Sequence, residues 1–283
     1  MKGFLDAHVH VVAPALLTLP GGPREGPDGV YAFEEKRVHG PIVESTAILA
    51  GTGADRVLLS PWVPLLGFAP AVQNESLAAL ASKRVDVLGT AATADELRDL
   101  MSGPFAGVEI AATPSPEGDF WAAAEASGAL VFIHPTTRGF AGPADHYLWN
   151  TVGNPLETTV TAAYLAVSGV LDRHPGLKIL LAHGGGTVLA LRGRLRHASK
   201  RVEAAGGVDV DAALKRFYYD SITHDASLLR ALVDYVGADH VLAGSDHPFD
   251  MADPDPVATV RAAGLDPASE AAVLGGNAEV LLR

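Results

Sequence analysis

The chain of 283 residues contains no cysteine, which excludes disulfides, thiolate metal ligands and cysteine nucleophiles. Any metal site must therefore use nitrogen and oxygen donors. Basic residues are few: 21 Lys and Arg stand against 33 Asp and Glu, a net charge of -12, a balance that does not suggest the basic stripe needed to neutralise phosphates. No nucleic-acid partner is expected. No apolar run approaches the ~18 residues of a membrane span, so no membrane association is expected either. The sequence opens directly into a strand-like run, from which we expect no signal peptide and a cytoplasmic setting.

What is present begins with that run. Gly3-Phe-Leu-Asp-Ala-His8-Val-His10 ends in two histidines two apart, and strand side chains alternate, so His8 and His10 point to one side. A His-x-His pair is common by chance, and its bland reading is one solvated and one packed histidine. Other runs supply further donors. Ala129-Leu-Val-Phe-Ile-His134-Pro stops at a histidine, Leu177-Lys-Ile-Leu-Leu-Ala-His183 stops at a histidine before three glycines, and Val241-Leu-Ala-Gly-Ser-Asp246 stops at a carboxylate. Four apolar runs, each ending in a metal-binding residue type, are hard to explain by packing.

Strand-like and helix-like segments alternate along the chain. Eight strands are predicted: the first run, Asp55 to Trp62, Val85 to Thr90, Gly107 to Ile110, Ala129 to His134, Leu177 to His183, Phe217 to Asp220 and His240 to Gly244. Between them the spacing predicts helices, among them Gln73 to Lys83, one opened by a capping box at Thr93, Phe120 to Ser127 ended by Gly128, Pro155 to Arg173, Thr187 to Ala205 and Ala226 to Val236. Pro256 to Ala263 and Pro267 to Leu282 close the chain. This is the pattern of a single (β/α)8 TIM barrel over residues 1–283, whose chemistry sits at the carboxyl ends of the strands. A loop insertion rich in Gly and Pro is expected over 11–41, either as a surface insertion or as a lid.

Three histidines and a carboxylate without thiolate suit Zn2+, one per chain, with Mn2+, Co2+ or Fe2+ also admissible. Two assignments are open from the residues alone. In one, His8, His10, His134 and Asp246 are the ligands and His183 is the general acid/base; in the other, His183 is a ligand and Asp246 takes the proton.

Longer segments carry a resemblance: Asp6-Ala-His8-Val-His10, Phe132-Ile-His134-Pro, Gly153-Asn-Pro-Leu-Glu-Thr-Thr, Ala182-His183-Gly-Gly-Gly, Phe217-Tyr-Tyr-Asp-Ser-Ile-Thr-His224-Asp, Gly244-Ser-Asp246-His-Pro-Phe249 and Gly276-Asn277-Ala. In this order the chain resembles the amidohydrolase superfamily, in the branch of 2-amino-3-carboxymuconate-6-semialdehyde decarboxylase and related metal-dependent decarboxylases. The resemblance implies Zn2+ on His8, His10, His134 and Asp246, His183 as the residue that activates the metal water, and Phe249 at the substrate. It also implies a homodimer in which Arg194 reaches the partner subunit's substrate carboxylate. The implied reaction is non-oxidative decarboxylation of a small unsaturated or aromatic carboxylic acid; hydrolysis or hydration of a lactone, amide or conjugated acid is the alternative.

The chain departs from that pattern at Thr136, followed by Arg138, and at Asn150 beside Trp149, where pocket tryptophans are expected; for the carboxylate-binding arginine of the first loop only Arg24 and Arg37 are candidates. Trp62 is a candidate substrate-stacking residue, with core packing as its bland reading. Glu109 is a polar residue on the fourth strand, and its bland reading is structural. His224 reads as a supporting or packing residue, and His247 as a pocket residue or a brace for Asp246.

Overall fold

The computed structural model describes residues 3–26, 30–33, 36–39, 45–112, 116, 118–136, 142–143 and 145–282. Eight parallel strands pair in the order β1 (Leu5–Val11), β5 (Arg56–Pro61), β6 (Val85–Thr90), β7 (Gly107–Ala111), β8 (Leu130–His134), β9 (Lys178–Leu181), β10 (Tyr218–Asp220) and β11 (Val241–Leu242). Backbone bonds from Ala7 N to Ala243 O (2.9 Å) and from Asp246 N to His8 O (2.8 Å) join the last strand to the first and close the barrel. The strands are apolar runs because each is covered on both faces: β1 and β8 are buried at every residue. Inside the ring, Ala7, Leu58, Leu88, Phe132, Leu180 and Leu242 form a cluster that fills the barrel.

Around the strands lie α1 (Ser45–Thr52), α2 (Pro70–Ala78), α3 (Ala94–Leu100), α4 (Phe120–Ser127), α5 (Asn154–Val167), α6 (Val170–Arg173), α7 (Val188–Arg201), α8 (Val210–Leu214), α9 (Ala226–Val236), α10 (Pro256–Ala262), α11 (Pro267–Ala271) and α12 (Asn277–Leu281). Their larger shared cluster includes Phe120, Leu165, Leu181, Phe217 and Leu229. The predicted capping box is formed, with Glu96 N donating to Thr93 Oγ1 and Thr93 N to the Glu96 carboxylate. Gly128 ends α4 in the left-handed region at φ 67°.

Three segments differ from the periodicity. The helix predicted from Pro155 to Arg173 is two, because Gly169 turns left-handed at φ 74° and starts α6 afresh. The terminal run is divided by a π-helical turn over Ala272–Gly276, where Gly275 packs so closely that a Cβ would stand 2.6 Å from Gly3 O. Between β1 and α1, a 3-10 turn (Pro14–Thr18) precedes a small antiparallel sheet of β2 (Arg24–Glu25), β3 (Val30–Phe33) and β4 (Lys36–His39). That sheet pairs within itself, so no strand periodicity tied to the barrel core marks it in the sequence.

Candidate metal centre

The alternation of β1 turns His8 and His10 into the barrel mouth, where both side chains are fully buried. His134 ends β8, His183 follows β9 and Asp246 follows β11, so all five donors stand at the carboxyl ends of strands. Donor atoms of His8, His134, His183 and Asp246 lie within 4.8 Å of one another, and His10 Nε2 is 2.9 Å from His8 Nε2. The structure thus brings together every residue that the sequence marked as a candidate ligand. His183 and Asp246 sit at φ 55° and 62°, a region that costs a side chain strain and clusters at functional sites.

The far edges of the rings fix their tautomers. His8 Nδ1 donates to Asp220 Oδ2 at 2.6 Å, His10 Nδ1 to the Pro61 carbonyl at 3.2 Å and His134 Nδ1 to the Pro135 carbonyl at 2.9 Å. Each partner only accepts, so each Nδ1 is protonated and, in the neutral ring, each Nε2 carries the lone pair. Asp246 Oδ1 stands 3.2 Å from His8 Nε2 and 3.3 Å from His10 Nε2. Among the described residues, His134 Nε2 and Asp246 Oδ1 have no hydrogen-bond partner. Lone pairs converging without a donor demand positive charge, and the nitrogen and oxygen donors fit a divalent cation.

The titration of the groups carries the same demand. Burial opposes charge on His8, but the carboxylates of Asp246 and Asp220 overcome it and push the ring up to about 10. Burial also resists charge on Asp246, and the positive charge of His8, with the rings of His10 and His183 facing it, holds its carboxyl well below the usual range. Burial, helped by the neighbouring rings, holds His134 well below the ordinary histidine value, and burial lowers His10. The electrostatics favour one positive charge at this point, which a proton on His8 or a bound cation can supply.

His183 differs from the other three. Its Nδ1 has no partner among the described residues, while its Nε2 lies 3.3 Å from Asp246 Oδ2. Its ring is therefore not locked by a second group. His183 and Asp246 line a cavity of about 280 Å³ with Asn150, Asn154, Leu228 and Met251.

The remaining sequence candidates are spread more widely. The Phe249 ring lies 4.9 Å from the His10 ring, at the centre. Trp62 is 4% exposed and packs in the cluster of Val9, Leu65 and Leu77 on the outer side of β1 and β5, which matches its bland reading. Arg194 is exposed on α7. His224 is exposed, at the rim of the 280 Å³ cavity. His247 braces the centre through its backbone, its carbonyl accepting from His10 N at 2.8 Å, while its ring stands over Gly51. Arg24 is exposed on β2; Arg138 and the Arg37 side chain lie outside the described residues. Thr136 Oγ1 donates to Glu157 at 3.1 Å.

Sequence reasoning missed Asp220. Its carboxylate orients His8 and also accepts from His183 N (2.8 Å), Gly184 N (2.8 Å) and Ile222 N (3.0 Å), so one residue sets two site histidines. Its position at the end of the seventh strand, level with the other donors, was the available signal.

Among curated proteins, the chain is 31% identical over 160 residues to the 2-amino-3-carboxymuconate-6-semialdehyde decarboxylase of Dictyostelium discoideum, covering 54% of this chain and 45% of that protein. It is 36% identical over 138 residues to the 6-methylsalicylic acid decarboxylase of Penicillium expansum, covering 45% and 41%. The chain thus spans less than half the length of these relatives. Its fold is that of the 5-carboxyvanillate decarboxylase of Sphingomonas paucimobilis (TM-score 0.79, 22% identity, 99% of this chain and 98% of that one). It is also that of the 2,6-dihydroxybenzoate decarboxylase of Rhizobium (TM-score 0.78, 20% identity, 100% and 99%). The amidohydrolase profile matches residues 5–283, and the chain belongs to the amidohydrolase family.

Proposed function

We propose that the protein is a divalent-metal-dependent, non-oxidative decarboxylase of a small aromatic or unsaturated carboxylic acid. The observation that carries this reading is the convergence of lone pairs from His8, His10, His134 and Asp246, with a fourth, unlocked histidine beside them. The decarboxylase names of the similar proteins support the choice of reaction. In our reading His8, His10, His134 and Asp246 hold the cation, with Zn2+ the ion that this donor set suits best. A cation held there would supply the positive charge that binds and orients the acidic substrate at the centre.

The protein's own groups do the rest. Asp220 keeps His8 in its ligating tautomer, as the Pro61 and Pro135 carbonyls keep His10 and His134. His183, free at Nδ1 and close to Asp246, delivers a proton to the carbon that bears the carboxylate. Protonation interrupts conjugation; the carbon–carboxylate bond then breaks, CO2 leaves and the bonding pair restores the conjugated system. Phe249 forms an apolar wall beside His10. Arg194, exposed on α7, serves the partner subunit's substrate in a homodimer.

Substituting His183→Asn tests the assignment. We expect metal content to stay at that of the native protein while CO2 release from a panel of aromatic and muconate-like acids falls by at least about 10²-fold, the scale of a lost general acid. Turnover at the native rate would refute the role of His183, and substrate consumed without CO2 would move the reaction to hydrolysis or hydration.

A further inference from the structure

Glu109, on β7, is a buried carboxyl without a partner. Its side chain is 0% exposed, and neither oxygen has a hydrogen-bond partner among the described residues. Oε1 stands 4.0 Å from His10 Nδ1, beyond hydrogen-bond range, and that nitrogen is already committed to the Pro61 carbonyl. A buried polar group left unpaired destabilises the fold, so its retention calls for an explanation outside folding.

The register shows where it points. Glu109 lies beside Thr90 on β6 and Phe132 on β8, and the Phe132 ring packs 4.8 Å from that of His8. Glu109 therefore faces the same interior as the site histidines. It also lines a cleft of about 800 Å³ at the mouths of β6 and β7, with Leu66, Thr90 and Ala111. This cleft and the 280 Å³ cavity of His183 share no lining residue.

A second cation held by His10, Glu109 and His134 is the first alternative, since their donor atoms lie within 4.8 Å of one another. It fails on donor count. Both imidazoles have spent Nδ1 on carbonyls and aim Nε2 at the first centre, so Glu109 would bind a second ion alone.

We propose that Glu109 is a specificity residue, accepting a hydrogen bond from a hydroxyl or amino substituent of the substrate while the substrate carboxylate lies at the metal centre. This inference rests on the decarboxylase reading and narrows its substrate class to acids that carry such a donor. A carboxyl in a water-poor wall discriminates strongly, because an analogue lacking the donor leaves it unsatisfied.

The test is calorimetric binding to the metal-loaded protein of benzoate and of the 2-, 3- and 4-isomers of hydroxybenzoate and aminobenzoate, with native, Glu109→Gln and Glu109→Leu forms. At least one isomer should bind the native protein about tenfold or more tightly than benzoate. Glu109→Leu should erase that gain while leaving benzoate affinity and metal content unchanged, and its melting temperature should rise, because an apolar side chain replaces an unpaired carboxyl. Glu109→Gln, which keeps one acceptor, should retain part of the gain. The isomer that gains decides between hydroxyl and amine. A gain that survives in Glu109→Leu, an equal loss for benzoate, a loss of metal or of stability, or no gain in the native protein would each overturn the inference. CO2 release by the native protein is scored separately: a donor gain without CO2 overturns only the decarboxylase reading, and CO2 without a donor gain overturns only the role of Glu109.

Discussion

At the residue scale, one proton and one cation compete for the same point. His8 must give up its Nε2 proton to act as a ligand, and its pKa is pushed up to about 10 by Asp246 and Asp220 against the resistance of burial. Below that value the protonated ring opposes the cation, so apparent metal affinity should rise with pH, and binding near neutrality should release about one proton per ion. Calorimetry in buffers of different ionisation enthalpy measures this directly; affinity independent of pH would mean that His8 is not a ligand. Asp220→Asn should weaken metal binding by about 10–100-fold, as loss of an orienting partner does. The donors were legible in the sequence because each ends an apolar run, and the barrel puts all such ends on one face. Asp220 also ends a strand, but its role is a contact with His8, 212 positions away, which no spacing encodes. Glu109 read first as structural, and its missing partner is what points the other way.

At the element scale, the loop after β9 presents His183 and has little freedom to change. Gly184, Gly185 and Gly186 all have positive φ, and a Cβ on Gly186 would stand 2.1 Å from Pro155 O at the start of α5. Gly186→Ala should therefore separate α5 from this loop at a cost of at least about 1–3 kcal/mol, and displace His183 from Asp246. A lowered melting temperature with a matching loss of turnover is the expected result. The barrel strands and most helices were legible because burial on both faces gives continuous apolar runs and caps mark helix starts. The division at Gly169 and the sheet of β2, β3 and β4 were not, since a single left-handed glycine and a pairing outside the core leave no periodic trace. Asp211 tethers α8 to Arg196 on α7, which holds its carboxyl below the usual range. That contribution is present above the ordinary aspartate pKa and lost as pH falls through the lower folded value, so Asp211→Asn should flatten the acid limb of the stability curve.

At the scale of the whole molecule, the centre ties the first strand to the fifth and the last, and the proposed role of Arg194 requires a second chain. A bound cation stabilises by mass action, so chelation should lower the melting temperature in proportion to the logarithm of the free metal concentration. Arg194→Ala and His183→Asn, each nearly inactive alone, should regain activity when mixed as heterodimers, because one interface then pairs an intact His183 with an intact Arg194. Mixtures that stay inactive would exclude service across the interface. We propose that these residues bind one divalent cation and use it to release CO2. The most direct test is the metal content of the purified protein, by plasma emission spectrometry, with CO2 release measured before and after chelation on carboxylated aromatics and muconate-like acids. About one divalent ion per chain, with CO2 release lost on chelation and restored by metal, is the expected result; a chain that holds no metal, or that releases CO2 equally well without it, would exclude a metal-dependent decarboxylase.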